Sequence, residues 1–529
     1  MRDIVIKGVK NMKNKKTIIL SAVASLALLA LIIGATYAYF QAGGGTNTNT
    51  DVKVTTYTTD ALSFEVGSDI SLYADQTTFA SGKGNATGST FAKAILTANN
   101  KTNTSTMNYY LYLRISKNSF GYTQNTSTPE LLLTITDASG NAVTDITSLT
   151  YKTVTDGKGA SISGYDITNK SGLIILFDKK AITASPTKTD EWNITVTFIN
   201  YNADQSNNMG KEFNAKLMIQ KEEYELTLAD ICTDKTLKEC VISQYTGTQG
   251  GNNIYYHTST LTNGAGDKSY RYAGPSDSVN NFVCFGSDAA TCPTDNLYRI
   301  IGVIDDKVKL IKYDYATSDL LGTDGDYCGS STPSSSTYKG SLSSVNTYYW
   351  NYKASGSVSN TWSTSLLNKT NLNTNFINSI GSTWAGKIAT TAWKVGGGTN
   401  ANIKDAVPAT AYQYEVGANA STTTYEAKIG LMYVSDYGFA ASPSAWTITM
   451  YNYNDSTATS NNWMYMGYYD WTISRSSGTS LNAFYVPNTG PVYNNNANGR
   501  NGVRPSFNLE STVAYVSGSG SMSDPIRVN

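Results

Sequence analysis

From residue 52 to about residue 221 apolar and polar side chains alternate with the two-residue period of half-buried strands, as in 62–66 (LSFEV) and 110–115 (YLYLRI). Residues 131–135 (LLLTI), 173–177 (LIILF), 192–199 (WNITVTFI) and 213–219 (FNAKLMI) continue the series, and polar turns such as 137–141 (DASGN) separate them. No apolar helical repeat intervenes and no cysteine occurs, so the pattern predicts a β-sandwich over 52–222, held by packing alone. The period then changes. Thr227 with Asp230 makes a helix-capping start, and Leu228, Ile231, Leu237, Val241 and Ile242 follow at helical spacing. Residues 223–280 are therefore expected to form a helical connector with glycine-bearing loops at 249–252 and 263–266.

Residues 281–529 mix both periods. A hairpin is expected over 297–312 (LYRIIGVIDDKVKLIK), with Asp305 and Asp306 in its turn. A helix is expected after 362–367 (WSTSLL), carried on by Leu372, Phe376 and Ile380. Alternation returns at 483–486 (AFYV), and 513–528 reads as a last hairpin.

The start of the chain has a different character. Arg2, Lys7, Lys10, Lys13, Lys15 and Lys16 precede an uncharged run over 17–38, which is long enough to cross a bilayer and equally shaped as a secretory signal. Residues 1–40 are expected to be a signal peptide or transmembrane anchor, and 41–51 a glycine- and threonine-rich spacer. The basic residues keep the N-terminus inside and send the rest of the chain outside, so an uncleaved segment would make a single-pass membrane protein. Ala38, two places after Thr36, is the expected cleavage residue, with Tyr39 the first of the mature chain.

Composition narrows the function classes. The 529 residues carry 40 basic and 40 acidic side chains, and charged residues are only 15% of the total. A balance of zero leaves no electrostatic footprint for nucleic acid. Cleavage after Ala38 removes six basic residues and Asp3, leaving a net charge of −5. One histidine, His257, excludes multi-histidine metal sites and argues against His-centred catalysis, and neither a hydrolase elbow nor a phosphate loop occurs. Five cysteines in an exported chain suggest disulfides. Cys232 with Cys240 and Cys284 with Cys292 are the simplest local pairs, leaving Cys328 over; other pairings remain open. Asp319, Asp324 and Asp326 beside Gly322 and Gly325 are candidates for calcium, although no glutamate closes the loop; no other cofactor is expected.

The densest candidate chemistry lies between Trp463 and Arg504. Tyr465, Tyr468, Tyr469, Trp471, Tyr485 and Tyr493 are interleaved there with Asn488, Asn494, Asn496 and further asparagines. Tyrosine offers rigid amphipathic contact area and asparagine adaptable hydrogen bonds, the pairing that binding loops favour and that suits carbohydrate. Arg504, before Pro505, is expected to bury its guanidinium against a carboxylate or carbonyls.

Two resemblances add to this reading. The exit 36–40 (TYAYF), with 91–100 (FAKAILTANN) and 198–219 (FINYNADQSNNMGKEFNAKLMI), resembles the camelysin/TasA family of exported proteins. That resemblance implies a processed signal peptide and a matrix-associated sandwich capable of self-association. The order of 298–303 (YRIIGV), 362–368 (WSTSLLN), 471–475 (WTISR) and 502–509 (GVRPSFNL) resembles bacterial surface domains related to the formylglycine-generating-enzyme version of the C-type lectin fold. It implies an α+β module over 281–529. The enzymes of that fold use a late cysteine pair, and no cysteine follows Cys328.

The expected protein is mainly β, an N-terminal β-sandwich followed by an α+β C-type-lectin-like domain. It is expected to be extracellular or on the cell surface and not an enzyme, with an extracellular glycan or protein as ligand and the membrane reached through the N-terminal segment. The alternatives are a structural matrix or fibre component of the envelope or biofilm and, further off, an enzyme on the formylglycine-generating-type scaffold.

Overall fold

The computed structural model describes residues 60–79, 83–99, 104–352, 358–454 and 460–529. The expected signal segment 1–40, the cleavage point after Ala38 and the spacer 41–51 lie outside them. No helix among the described residues is long and apolar enough to cross a membrane. Strand outweighs helix, 36% to 16%, in several antiparallel sheets, so the chain is mainly β as the alternation predicts.

The chain divides into two compact units. Among the described residues, 60–61, 97–99, 104–105 and 184–186 belong to one, and the described residues of 62–96, 106–183 and 187–529 belong to the other. Within the first, the Asp60 carboxylate accepts from the Asn99 backbone N–H at 2.8 Å and from the Ser105 hydroxyl at 2.5 Å.

The N-terminal strands are β1 (Ala61–Val66), β2 (Ile70–Tyr73), β3 (Ala86–Thr97), β4 (Ser105–Asn118), β5 (Leu131–Asp137), β6 (Tyr151–Thr155), β7 (Ser161–Asp166), β8 (Gly172–Ala184), β9 (Thr187–Phe198) and β10 (Glu212–Gln220). They form a six-stranded sheet in the order β1-β3-β9-β5-β7-β6 and a four-stranded sheet in the order β2-β10-β4-β8. Alternate residues are buried, Ala92, Ala94 and Leu96 on β3 and Tyr109, Leu111, Leu113 and Ile115 on β4, which is how a one-sided core reads along a strand. The Trp192 indole N–H on β9 donates to the Tyr109 hydroxyl on β4 at 2.8 Å, linking the two sheets through a buried polar contact.

Two short helices follow, Leu228–Cys232 and Leu237–Ser243. Each opens with a reciprocal capping box, Thr227 with Asp230 and Thr236 with Glu239, so the start signal read at Thr227 is real and is repeated nine residues on. The Cys232–Cys240 disulfide ties the helices together, and Asp230 also takes the Arg114 guanidinium from β4.

The remaining strands are β11 (Ile254–Tyr256), β12 (Tyr270–Tyr272), β13 (Phe282–Cys284), β14 (Leu297–Ile304), β15 (Lys307–Lys312), β16 (Tyr327–Ser331), β17 (Val345–Tyr348), β18 (Thr391–Lys394), β19 (Thr424–Ala427), β20 (Ile429–Gly430), β21 (Asp470–Arg475), β22 (Asn482–Val486), β23 (Tyr493–Asn496), β24 (Ser506–Asn508), β25 (Tyr515–Ser517) and β26 (Ile526–Val528). A nine-stranded sheet runs β20-β24-β15-β14-β13-β26-β25, with β11 and β12 joined through β14. The stretch expected as connector therefore supplies two strands of this sheet. The β14–β15 hairpin turns on Asp305 and Asp306, at φ of 47° and 65°, the left-handed pair a two-residue turn requires. Gly302 in β14 is obligatory: a Cβ there would lie 2.1 Å from the Tyr270 carbonyl oxygen of β12.

The short edge strand β20 is closed by a side chain. Asn373, in the helical segment Leu367–Phe376, accepts from the Ile429 N–H and donates to the Ile429 carbonyl, each at 2.9 Å. Trp350, Trp362, Trp393, Trp446, Trp463 and Trp471 are all fully buried, so the tryptophan richness of the C-terminal half goes into its core.

Candidate functional site

Strands β21, β22 and β23 form a separate three-stranded antiparallel sheet. Its register sets Trp471 opposite Tyr485 and Tyr485 opposite Tyr493. Cross-strand neighbours on one face lie close enough for rings to meet, and the tyrosines form a continuous row. Successive ring centroids are 5.7 Å apart from Tyr468 to Tyr469, 6.0 Å from Tyr469 to Tyr485 and 6.3 Å from Tyr485 to Tyr493. Tyr451 extends the row, 5.2 Å from Tyr493. Tyr451 and Tyr469 are 42% and 38% exposed and the other three half-buried, so the row presents aromatic surface to solvent.

The interleaved sequence residues separate by depth. Trp471 lies in the core beneath the row, its indole N–H on the Tyr348 carbonyl at 2.9 Å and its ring edge-on to Tyr485 at 5.8 Å. Tyr465 is also buried and donates to the Asn488 carbonyl. Neither side chain offers a face to ligand, a correction to the expected set: both are buried and their large apolar surface goes into the core. Asn494 sits beside the row and donates to Asn400 at 2.9 Å; Asn496 is exposed, and Asn488 is half-buried. Lys404 covers the Tyr451 ring at 4.3 Å and pairs with Asp405 at 2.7 Å. Tyr451, Asn400 and Lys404 were not legible as members, because segments far upstream bring them to β23.

The other candidates have settled partners. The disulfides are Cys232–Cys240 and Cys284–Cys292, the two local pairs, and Cys328 is free and half-buried, its thiol pushed up to about 12 by burial. Asp326 is buried; its carboxylate takes the backbone N–H groups of Leu367 at 3.0 Å and Tyr352 at 3.2 Å, and burial raises it to about 6. Asp324 accepts from Asn375 at 2.8 Å, and Asp319 lies in the first turn of the helix Ser318–Leu321. No group of three or more His, Cys, Asp or Glu among the described residues is placed to hold a metal, so the three aspartates serve turns and amides separately. His257 is fully buried between Phe439 and Trp446, with ring centroids at 4.8 and 5.2 Å; its Nδ1 accepts from the Ala265 N–H at 2.9 Å. Arg504 donates to Asp470 at 2.6 Å and to the Met464 carbonyl at 2.7 Å, as expected for that residue.

A buried charged centre lies elsewhere in the C-terminal half. Lys309 on β15 contacts Asp436 Oδ2 at 2.6 Å, and Arg271 on β12 reaches Asp436 Oδ1 at 3.2 Å and Asp267 at 2.8 Å. Asp436 belongs to the first turn of the helix Val434–Ala440 and also accepts from the Tyr433 N–H at 2.9 Å. Glu415 accepts from the Val434 N–H at 3.0 Å, the Ser435 N–H at 2.8 Å and the Ser474 hydroxyl. Burial lowers Lys309, with Asp436 opposing, and raises Glu415. Sequence alternation missed this centre, because Lys309 between Val308 and Leu310 reads as an outward-facing residue.

No protein-family model matches the chain, and no curated protein matches it in sequence.

Proposed function

We propose that the chain is an exported cell-surface protein whose C-terminal half is a non-catalytic, lectin-like binding module carried on an N-terminal β-sandwich. The row of Tyr468 and Tyr469 before β21, Tyr485 on β22 and Tyr493 on β23, with Tyr451, carries this reading. Five rings in unbroken contact, flanked by amides and with a Lys404–Asp405 pair at one end, give apolar faces for the CH surface of a sugar or a peptide side chain. Hydroxyls and amides at the rims supply directional hydrogen bonds. The Trp192–Tyr109 contact between the N-terminal sheets supports the sandwich, and two disulfides suit a chain that matures outside the cytosol.

The test applies the purified mature chain to glycan and host-protein arrays beside the variants Tyr485→Ala and Tyr493→Ala. The expected result is binding in the parent chain that falls at least tenfold in both variants, the loss of about 1.4 kcal/mol or more that a stacked contact supplies. Absence of binding, or binding indifferent to both substitutions, would overturn the reading. Concentration-dependent filaments from the parent chain would instead favour a matrix component.

A further inference from the structure

We propose that Lys309 and Asp436 condense to a covalent amide, an isopeptide bond joining strand β15 to the helix Val434–Ala440 across 127 residues of chain. Among the described residues this is the only lysine–carboxylate ion pair with both side chains buried, 5% and 3% exposed. The other buried lysine, Lys312, faces an Asp295 that is 47% exposed and 3.5 Å away; Lys152 beside Asp166 is itself 27% exposed. Buried pairs such as Arg504 with Asp470 use a guanidinium, which is not a nucleophile of this kind.

The surroundings fit the reaction. Tyr433 and Trp393 place their rings 4.6 and 5.3 Å from Lys309 Nζ, walling it from solvent. The reaction starts with the transfer of one proton from the Nζ ammonium to Asp436 Oδ2, 2.6 Å away, leaving an amine against a carboxylic acid. The Nζ lone pair then attacks Cγ. The N–C bond forms, the bond from Cγ to Oδ2 breaks, and Oδ2 departs with two protons as water. Nothing is oxidised or reduced, and no co-reactant is needed. Arg271, 3.2 Å from Oδ1, donates to the oxygen that carries negative charge in the tetrahedral intermediate. Glu415 is a positioning residue: by accepting from the Val434 and Ser435 N–H groups it fixes the helical turn that carries Asp436. Burial that lowers Lys309 and raises Glu415 favours the neutral amine and a proton-rich centre. Fixed geometry and exclusion of water favour condensation over hydrolysis.

The full mature chain, reduced and alkylated so that disulfides do not contribute, is weighed intact and then digested for peptide mapping. The expected mass is lower than that of its sequence by one water, with a branched peptide joining the segments that contain Lys309 and Asp436. Lys309→Arg keeps the cation but cannot form the amide, and is expected to return the full mass and two separate peptides. Arg271→Gln is expected to reduce the linked fraction. Recovery of Lys309 and Asp436 only in separate peptides from the parent chain, at full sequence mass, would overturn the proposal. Because the mass readout needs no ligand, it stands or falls independently of the binding function.

Discussion

His257 shows how one residue can govern the acid response of a core. Burial, with Arg271 adding to it, pushes the imidazole down to about 3 from its usual 6.5. The folded state thus holds it neutral while the unfolded chain takes up a proton below pH 6.5. The stability it contributes is complete above that value and is lost as the pH falls towards 3, at about 1.4 kcal/mol per pH unit. Asp326 and Asp470 act oppositely: burial raises both to about 6, so lowering the pH through 6 towards 3.8 favours the folded state at these sites. A total pH profile mixes these terms, but a difference between two chains does not. In His257→Asn the amide oxygen is placed to accept from the Ala265 N–H in place of Nδ1, so the hydrogen bond survives while the titration is removed. Denaturant unfolding of the two chains from pH 7 to 4 is expected to show the parent losing stability relative to the variant below pH 6.5. Parallel profiles would show that the imidazole is not held neutral.

Edges and turns explain which elements could be read in advance. Asn373 satisfies the open backbone groups of Ile429 with both ends of its amide, doing for β20 what a further strand would do. Asn373→Leu keeps the volume and removes both bonds, leaving an N–H and a C=O of a buried residue unpaired. The expected loss is about 1–3 kcal/mol per orphaned group, read as a lower denaturant midpoint with unchanged slope. An unchanged midpoint would mean that water reaches β20. This side-chain edge carries no sequence signal, since Asn373 is one of several asparagines in a polar helix. The β14–β15 hairpin and the capped helix at Thr227 were legible because their turn residues have local causes: left-handed aspartates and a reciprocal cap. Strands β6 (YKTVT) and β7 (SISGYD) were not, because serine, threonine and glycine give weak alternation and their placement comes from β7 pairing with β5 and β6 with β7. The same division holds in the candidate site. Tyr485 follows from the alternation of 483–486, and Tyr493 was read only as part of a tyrosine- and asparagine-rich stretch, whereas Tyr451 joins through packing that no local pattern encodes.

At the scale of the whole molecule the two disulfides have a narrow duty. Each closes a loop of only eight residues in sequence separation, so each is expected to stabilise by about 2–3 kcal/mol through the unfolded chain. The C-terminal core includes Cys232 and Cys240 but is filled chiefly by larger side chains, six fully buried tryptophans among them. Cys232–Cys240 nevertheless sits where several parts converge: Asp230 takes Arg114 of β4, the Leu237 N–H donates to the Val513 carbonyl, and the Tyr515 N–H donates to the Lys235 carbonyl. Replacing both cysteines of this bridge by serine is therefore expected to leave tryptophan fluorescence folded while hydrogen exchange quickens over 224–245 and 513–517. Replacing Cys284 and Cys292 should quicken exchange near β13 and leave the connector protected. Thiol labelling gives the internal control, since Cys328, half-buried and with its thiol pushed up to about 12, is expected to react slowly at neutral pH until the chain unfolds. Global unfolding on loss of the Cys232–Cys240 bridge would instead place the connector in the cooperative core, and the division of labour between short covalent ties and tryptophan packing would fail.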